Sequence, residues 1–374
     1  MGARRPGAAA STEVLGRRAL NRATLHRQLL LARSTTAVRE AVERIGGLNA
    51  QHANDPYLAL HSRLAGFRLA DLTAAIEDRR LVRSCLLRAT QHLVSATDFR
   101  WLRPVLNPLL ARVQRNAFGR RTAGVDLDDL VADARAILAG RTLTRAELGR
   151  LLAQHRPDAD RTALAWSVQY LLPLLHPAPS GTWDTLGATP VVLAEEHLGP
   201  LGPADPRRLV SRYLAAFGPA TTADMRAWSG VSGLREIVAD MAGELRTFRD
   251  ETGRTVYDLP DAPRPDPDTP APVRLLAGFD NLLLAHADRT RIMTDEIRRR
   301  VCVGDLIKPT VLVDGMVSGT WHLDRRAGLI TVEPFTRLGP GDTEAVTAEG
   351  HRVLRLAAPD AAPHSVQVAR ASAT

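Results

Sequence analysis

Two carboxamide side chains, Asn49 and Gln51, flank a single alanine in the segment IGGLNAQHANDPYLAL, residues 45–60. His52 and Asp55 follow, and the chain turns at an Asp-Pro step. A carboxamide is neutral at every physiological pH. Its oxygen accepts a hydrogen bond from water, and its dipole can face a developing positive charge. Such a pair suits positioning of a reactant better than strong acid–base chemistry.

The two ionisable neighbours admit more than one interpretation. Asp55 is interpreted first as a helix-capping or turn residue before Pro56, and second as a stronger base close to Gln51. His52 is interpreted first as a solvent-facing or phosphate-contacting residue. The first 100 residues contain further histidines, but none stands at metal-binding spacing with another histidine or a cysteine. We therefore expect no metal and no cofactor.

The overall charge is positive and is carried almost entirely by arginine. The 374 residues have a formal net charge of +8 and a pI near 10.5, and Lys308 is the lone lysine. A GC-rich genome explains arginine in place of lysine. It does not explain the excess of cations, which predicts attraction to a polyanion such as nucleic acid.

Cysteine content and hydropathy point to a reducing cytoplasm. Only Cys85 and Cys302 occur, which excludes a disulfide framework and a cysteine-rich zinc site. No apolar run is long enough to span a membrane, and the N-terminus lacks the apolar stretch of a secretory signal.

Helical periodicity followed by a two-stranded hairpin occurs three times along the chain, and this is the element order of a winged helix. The third occurrence is the clearest, with a capping Thr221 and a hairpin around Gly253. A Pro/Asp-rich linker follows, and the periodicity then becomes strand-like, with a turn at Asp314-Gly315. We predict an α+β protein of three tandem winged-helix domains and a small C-terminal β-barrel. The predicted segments are a disordered tail (1–14), three winged helices (15–122, 123–203 and 204–260), a linker (261–272), a barrel containing one helix near TDEIRRRV (273–356) and a loose tail (357–374).

This organisation and two sequence runs resemble the AlkZ/YcaQ family of winged-helix DNA glycosylases. The runs are GGLNAQHANDPYLALHSRL, which contains the two amides, and RLLAGFDNLLLAHADR at residues 274–289. The resemblance covers roughly residues 19–356. It is closer to the AlkZ branch, whose motif is glutamine, an apolar residue and glutamine. Gln51 matches the second position of that motif, whereas Asn49 is one carbon shorter than the glutamine usual at the first.

The resemblance implies a monofunctional enzyme that hydrolyses the glycosidic bond of N7-alkylated purines, including bulky adducts and interstrand crosslinks. The base already carries a positive charge and leaves neutral, so no acid has to protonate it. Gln51 and Asn49 would hold the attacking water at C1′, with Gln51 the more important, and His52 and Asp55 would support them. A role in self-resistance to a DNA-alkylating natural product also follows from the resemblance alone.

The expected partner is double-stranded DNA carrying alkylated purines, bound by a cytoplasmic monomer. The hairpin turns around Arg88 and Thr90, and around Arg254, are the predicted DNA contacts. A non-catalytic tandem winged-helix regulator remains the alternative. A nuclease is a weaker one, because no cluster of acidic metal ligands is evident.

Overall fold

Helices and short strands alternate along residues 13–371, the part of the chain that the computed structural model describes. The first elements are β1 (Val14–Leu15), α1 (Arg17–Arg27), α2 (Val38–Arg44), β2 (Leu48–Asn49), α3 (Asp55–His61), α4 (Leu69–Glu77), β3 (Leu81–Cys85), β4 (Gln91–Ser95) and α5 (Ala96–Phe118). Strands β2, β4 and β3 form one sheet in that order. Most of the predicted tail, residues 1–12, lies outside the described residues.

Two further units follow with a similar succession of helices and a small sheet. The second contains α6 (Leu127–Leu138), β5 (Leu143–Thr144), α7 (Arg145–Gln154), α8 (Arg161–Leu171), β6 (Leu174–Leu175), β7 (Pro190–Leu193) and α9 (Ala194–Leu198). The third contains α10 (Pro206–Phe217), α11 (Thr222–Ser229), α12 (Leu234–Asp240), β8 (Arg246–Asp250) and β9 (Thr255–Asp258). Their assignment as winged helices stays a prediction.

Local sequence signals fix several helix starts. The hydroxyl of Thr144 accepts a hydrogen bond from the backbone N–H of Glu147 at 3.2 Å, and the carboxylate of Glu147 accepts one from the backbone N–H of Thr144. Thr221 and Asp224 form the same reciprocal pair at the start of α11. The capping role predicted for Thr221 is confirmed.

The C-terminal region is an open sheet, not a barrel. Its elements are β10 (Arg274–Leu276), α13 (Asn281–Leu284), α14 (Asp295–Val301), β11 (Cys302–Val303), β12 (Leu306–Ile307), β13 (Thr310–Val313), β14 (Met316–Asp324), β15 (Leu329–Pro334), α15 (Pro340–Ala357) and β16 (Ser365–Val368). Five strands run in the order β10-β13-β14-β15-β16, and the two edge strands do not pair with each other. The predicted barrel is therefore wrong. The physical reason is α15, which buries Val346, Val353 and Leu354 against the sheet and covers the face that closure would have covered.

The tail predicted to be loose from residue 357 also contains ordered structure. Strand β16 pairs in parallel with β15, with Ile330 opposite Val366. The sequence does not predict this strand, because its apolar alternation is short and the surrounding segment is rich in alanine and proline. The hairpin at Asp314-Gly315 and the helix near residues 295–301 are confirmed.

Helix α1, predicted as part of the first unit, also contacts the third unit and the C-terminal region. Arg27 forms a buried ion pair with Asp258 of the third unit, at 2.7 Å. Asn21 donates to the carbonyls of Arg291 and Gly315 in the C-terminal region, at 2.8 and 2.9 Å. The first helix therefore joins the third unit to the C-terminal sheet.

Candidate active site

Asn49 lies in β2 and points into the protein. Its side chain is 6% exposed, and its oxygen Oδ1 accepts the backbone N–H of Gln51 at 3.0 Å. Pairing of Asn49 with His92 in β4 fixes the strand. Gly47 precedes it at φ +87°, where a Cβ would meet Val94 at 2.9 Å, so only glycine fits this entry to the strand. Asn49 therefore shapes the backbone that carries Gln51 and does not line the cleft.

Gln51 points out of the protein and lines an open cleft of about 820 Å³. Its Oε1 accepts the backbone N–H of Gln91 at 3.2 Å, which orients the carboxamide. A carbonyl oxygen has two lone pairs, so the same atom can also accept a hydrogen bond from water. The two predicted catalytic amides are thus neighbours in sequence that face different environments.

The cleft has a second wall that comes from the second unit, in the segment between β6 and β7. Asn54 donates to Oδ1 of Asp184 at 2.9 Å and accepts the N–H of the same aspartate at 2.8 Å. Arg325 of the C-terminal sheet also donates to Asp184. Leu186, 94% exposed, lies in the same wall. Sequence reasoning missed this wall, because the segment is more than 120 residues from Gln51 and has no motif of its own.

Asp55 is a half-buried residue of the same cleft, and its Oδ2 atom is buried. It is the first residue of α3, and its Oδ2 has no hydrogen-bond partner among the described residues. Gly278 packs against it so closely that a Cβ there would lie 3.4 Å from Oδ2. Burial, and then repulsion from Asp280, raise the pKa of Asp55 to about 7. The interpretation of Asp55 as a capping residue does not hold, since the N-cap is Asn54 and the carboxylate of Asp55 makes no capping bond.

His52 is exposed at the mouth of the cleft, and its ring packs against Phe279 with centroids 5.6 Å apart. The backbone N–H of Phe279 donates to the carbonyl of Ile307 in β12 at 3.2 Å. The short hairpin β11–β12 is thereby attached next to the loop that carries Gln51 and His52. Its Val303 and Leu306 are 52% and 46% exposed, which is unusual for large apolar side chains.

The hairpin turn at Arg88 and Thr90 is not a free wing tip. Arg88 donates to the carbonyl of Trp228 in the third unit, and its Nη2 lies 3.4 Å from Nε2 of His92. Burial lowers the pKa of Arg88 to about 10. Thr90 donates to the carbonyl of Leu87 at 3.1 Å. The prediction that these two residues contact DNA finds no support in their position, because the turn is packed between two units.

Arg254 lies at the predicted turn of the third unit and is half exposed. Its guanidinium is bound by Asp250 at 2.7 Å and by Asp288 at 2.5 Å. Two carboxylates offset its charge, so a DNA phosphate would have to compete with them. Its assignment as a DNA contact stays a prediction.

Neither a metal centre nor a membrane-spanning helix is found between residues 13 and 371. No group of three or more His, Cys, Asp or Glu side chains there could hold an ion. No helix in that range combines the length and the apolar character needed to cross a bilayer.

The chain belongs to the AlkZ-like DNA glycosylase family. The model of the family described as "DNA glycosylase AlkZ-like" matches residues 42–356, which confirms the resemblance seen in the sequence. Among solved structures, the chain is similar to the DNA glycosylase AlkZ of Streptomyces sahachiroi. That similarity has a TM-score of 0.79 and 23% sequence identity, and it covers 95% of this chain and 100% of the other. At this identity the likeness shows a shared fold. No curated protein matches the chain in sequence.

Proposed function

We propose that the protein is a monofunctional DNA glycosylase that releases cationic N7-alkylated purines, including bulky adducts and crosslinked bases. The observation that carries the proposal is the outward carboxamide of Gln51 in a cleft that also contains the partnerless carboxyl of Asp55. Membership of the AlkZ-like family supports the same reaction class.

The chemistry is a hydrolysis at C1′ of the deoxyribose. The C1′–N9 bond breaks, its electron pair moves to the base, and the positive charge of the alkylated purine is cancelled. The oxygen of a water molecule forms the new bond to C1′. Gln51 holds that water and faces its dipole toward the cationic sugar. Lys308 does not line the cleft, so the pathway needs no covalent lysine adduct.

The water must lose a proton after it attacks, and Asp55 supplies an acceptor in the cleft. With a pKa of about 7, roughly half of this carboxyl is ionised at neutral pH. Asn49 acts indirectly by holding the N–H of Gln51. This role is smaller than the expected one, in which Asn49 and Gln51 together hold the water. The shorter side chain of asparagine is sufficient for it.

DNA would enter across the β11–β12 hairpin. Exposed apolar side chains such as Val303 and Leu306 can insert between base pairs and open the stack. The cleft is wide and open, as a bulky adduct requires. A helix with three successive arginines, α14, leads directly into the hairpin and places positive charge beside it.

The test is single-turnover excision from a duplex that contains one N7-methylguanine, with abasic sites quantified after base release. Gln51→Ala should lose 100-fold or more of the rate, on the order of the loss of one essential electrostatic contact. The matched control is Gln154→Ala, which removes an exposed glutamine of α7 outside the cleft. Tight binding without abasic sites in the wild-type protein would favour the non-catalytic DNA-binding alternative.

A further inference from the structure

Arg83 is a buried cation without a carboxylate partner. It lies in the middle of β3, is 6% exposed and lines the same cleft as Gln51. Some buried arginines are matched by an acid, as Arg27 is by Asp258 at 2.7 Å, whereas Arg103, Arg274 and Arg291 bind only neutral acceptors. For Arg83 no Asp or Glu of residues 13–371 lies within ion-pair distance, and burial lowers its pKa. An unmatched buried charge is costly, and Arg83, unlike Arg103, Arg274 and Arg291, places that charge at the wall of the cleft.

The guanidinium of Arg83 is held in a fixed orientation by two hydrogen bonds. Its Nε donates to the carbonyl of Ala50 at 3.0 Å, and its Nη1 donates to Oγ of Ser180 at 3.0 Å. Ala50 is the residue between the two amides of the motif. Gly181 lies over the arginine stem at φ +90°, where a Cβ would be 2.8 Å from Cδ. The local sequence therefore leaves room for this side chain and for nothing larger.

Part of the guanidinium remains available to a ligand. Arginine has five N–H donors, and the two bonds to Ala50 and Ser180 use two of them. No acceptor within the described part of the protein binds Nη2. That nitrogen is not fully buried, so it retains access to the cleft. Ser180 uses its oxygen as an acceptor and keeps its own O–H to donate.

We propose that Arg83 and Ser180 form a binding site for a phosphate group of the DNA backbone next to the target nucleotide. The proposal rests on the proposed function for the identity of the polyanion. A guanidinium fork and a neighbouring hydroxyl match the several acceptor oxygens of a phosphodiester. Because the same side chain holds the carbonyl of Ala50, phosphate binding sets the distance between the backbone of the damaged strand and Gln51. The site therefore positions C1′ of the target nucleotide next to the carboxamide of Gln51.

The test is a methylphosphonate scan, in which each phosphate near the lesion is replaced in turn by an uncharged group. Binding is measured on a duplex with an uncleavable abasic analogue, so that it does not depend on catalysis. Excision of N7-methylguanine is measured in parallel. For the wild-type protein, one phosphonate position should weaken binding by about 10- to 100-fold, the range for a hydrogen bond to a charged group. For Arg83→Gln that position should have little effect.

Two further variants complete the test. Arg80→Gln removes an exposed arginine that pairs with Asp78, and it should show the wild-type phosphonate profile. Ser180→Ala should reduce the effect at the same position as Arg83→Gln, and it carries the test alone if Arg83→Gln fails to fold. The site would be overturned if Arg83→Gln and Ser180→Ala lost the same binding affinity as the wild type at each phosphonate position. Absence of excision with a retained phosphonate effect would instead reject the proposed function and leave the phosphate site standing.

Discussion

At the residue scale, the two similar side chains of the proposed catalytic loop have different surroundings. Asn49 is buried and bonds the backbone, whereas Gln51 is exposed and orients toward the cleft. The sequence singled out both residues as candidates, because paired amides around one alanine are unusual. It could not say which one faces the substrate, since that depends on the pairing of β2 with β4.

We expect Asn49→Ala to slow excision about tenfold and to destabilise the fold by about 1 kcal/mol, the usual cost of one lost side-chain-to-backbone bond. The reason is loss of the acceptor that holds the N–H of Gln51. Single-turnover kinetics and urea unfolding check the two values. A rate loss as large as that of Gln51→Ala would contradict an indirect role for Asn49.

The pH dependence of excision should follow Asp55. An N7-alkylated base is cationic throughout, so the substrate does not titrate near neutrality. If Asp55 accepts the proton, the single-turnover rate rises about tenfold per pH unit below 7 and levels off above it. Asp55→Asn should give a lower rate with a flat profile between pH 5 and 8.

Stability gives an independent measure of the same group. The pKa of Asp55 is raised in the folded state, so the native protein binds its proton more tightly than the unfolded chain does. Wild-type stability should therefore fall as pH rises from about 4 to about 7, and Asp55→Asn should remove that part of the fall. Thermal unfolding at pH 5 and pH 8 measures the difference. If Asp55→Asn were less stable than the wild type at pH 8, the folded state would not disfavour the ionised form of Asp55.

At the element scale, helices and hairpins could be read from periodicity and capping residues, but their exposure could not. The turn at Arg88 has the sequence of a surface wing, yet it lies against Trp228 in a core shared with the third unit. The hairpin β11–β12 has only four paired residues and no strong strand signal, yet it is the one that exposes apolar side chains. Burial of this kind is decided by packing between distant units.

The double variant Val303→Ser/Leu306→Ser should weaken binding to duplex DNA by about 1–3 kcal/mol, the scale for burying two half-exposed apolar side chains. Its melting temperature should stay within about 1 °C of the wild type, because these side chains contribute little to the core. Fluorescence anisotropy and thermal unfolding measure the two effects. Val14→Ser, at an exposed valine of β1, is the control and should bind DNA normally.

At the scale of the whole molecule, the sequence indicated a chain of separate modules, and the structure ties them together. Helix α1 contacts the third unit and the C-terminal region, and the largest core cluster mixes residues of the first and third units. Contacts between residues more than 200 positions apart leave no trace in local periodicity. The strand periodicity of the C-terminal region likewise does not distinguish an open sheet from a barrel, because it carries no sign of the helix α15 that covers the sheet.

Arg27→Met should destabilise the entire protein by about 3 kcal/mol, because it removes the two-pronged partner of the buried Asp258 carboxylate and leaves Arg264 as its remaining ion pair. Urea unfolding should remain a single transition if α1 makes the units cooperative. Arg80→Met breaks an exposed pair and should change stability by less than about 0.5 kcal/mol. Two well-separated transitions in the wild type would show that the units unfold independently.

The cleft is shared between two stretches of chain that are joined by the reciprocal bonds of Asn54 and Asp184 and by packing of Tyr57 against Trp183. Gln51 lies on one stretch, and the exposed Leu186 lies on the other. If Gln51 cleaves the bond as proposed, the wall that contains Leu186 can change independently of it and alter the size of adduct that fits. Exchanging residues 185–189 between homologues should alter which adducts are accepted while the turnover machinery stays intact.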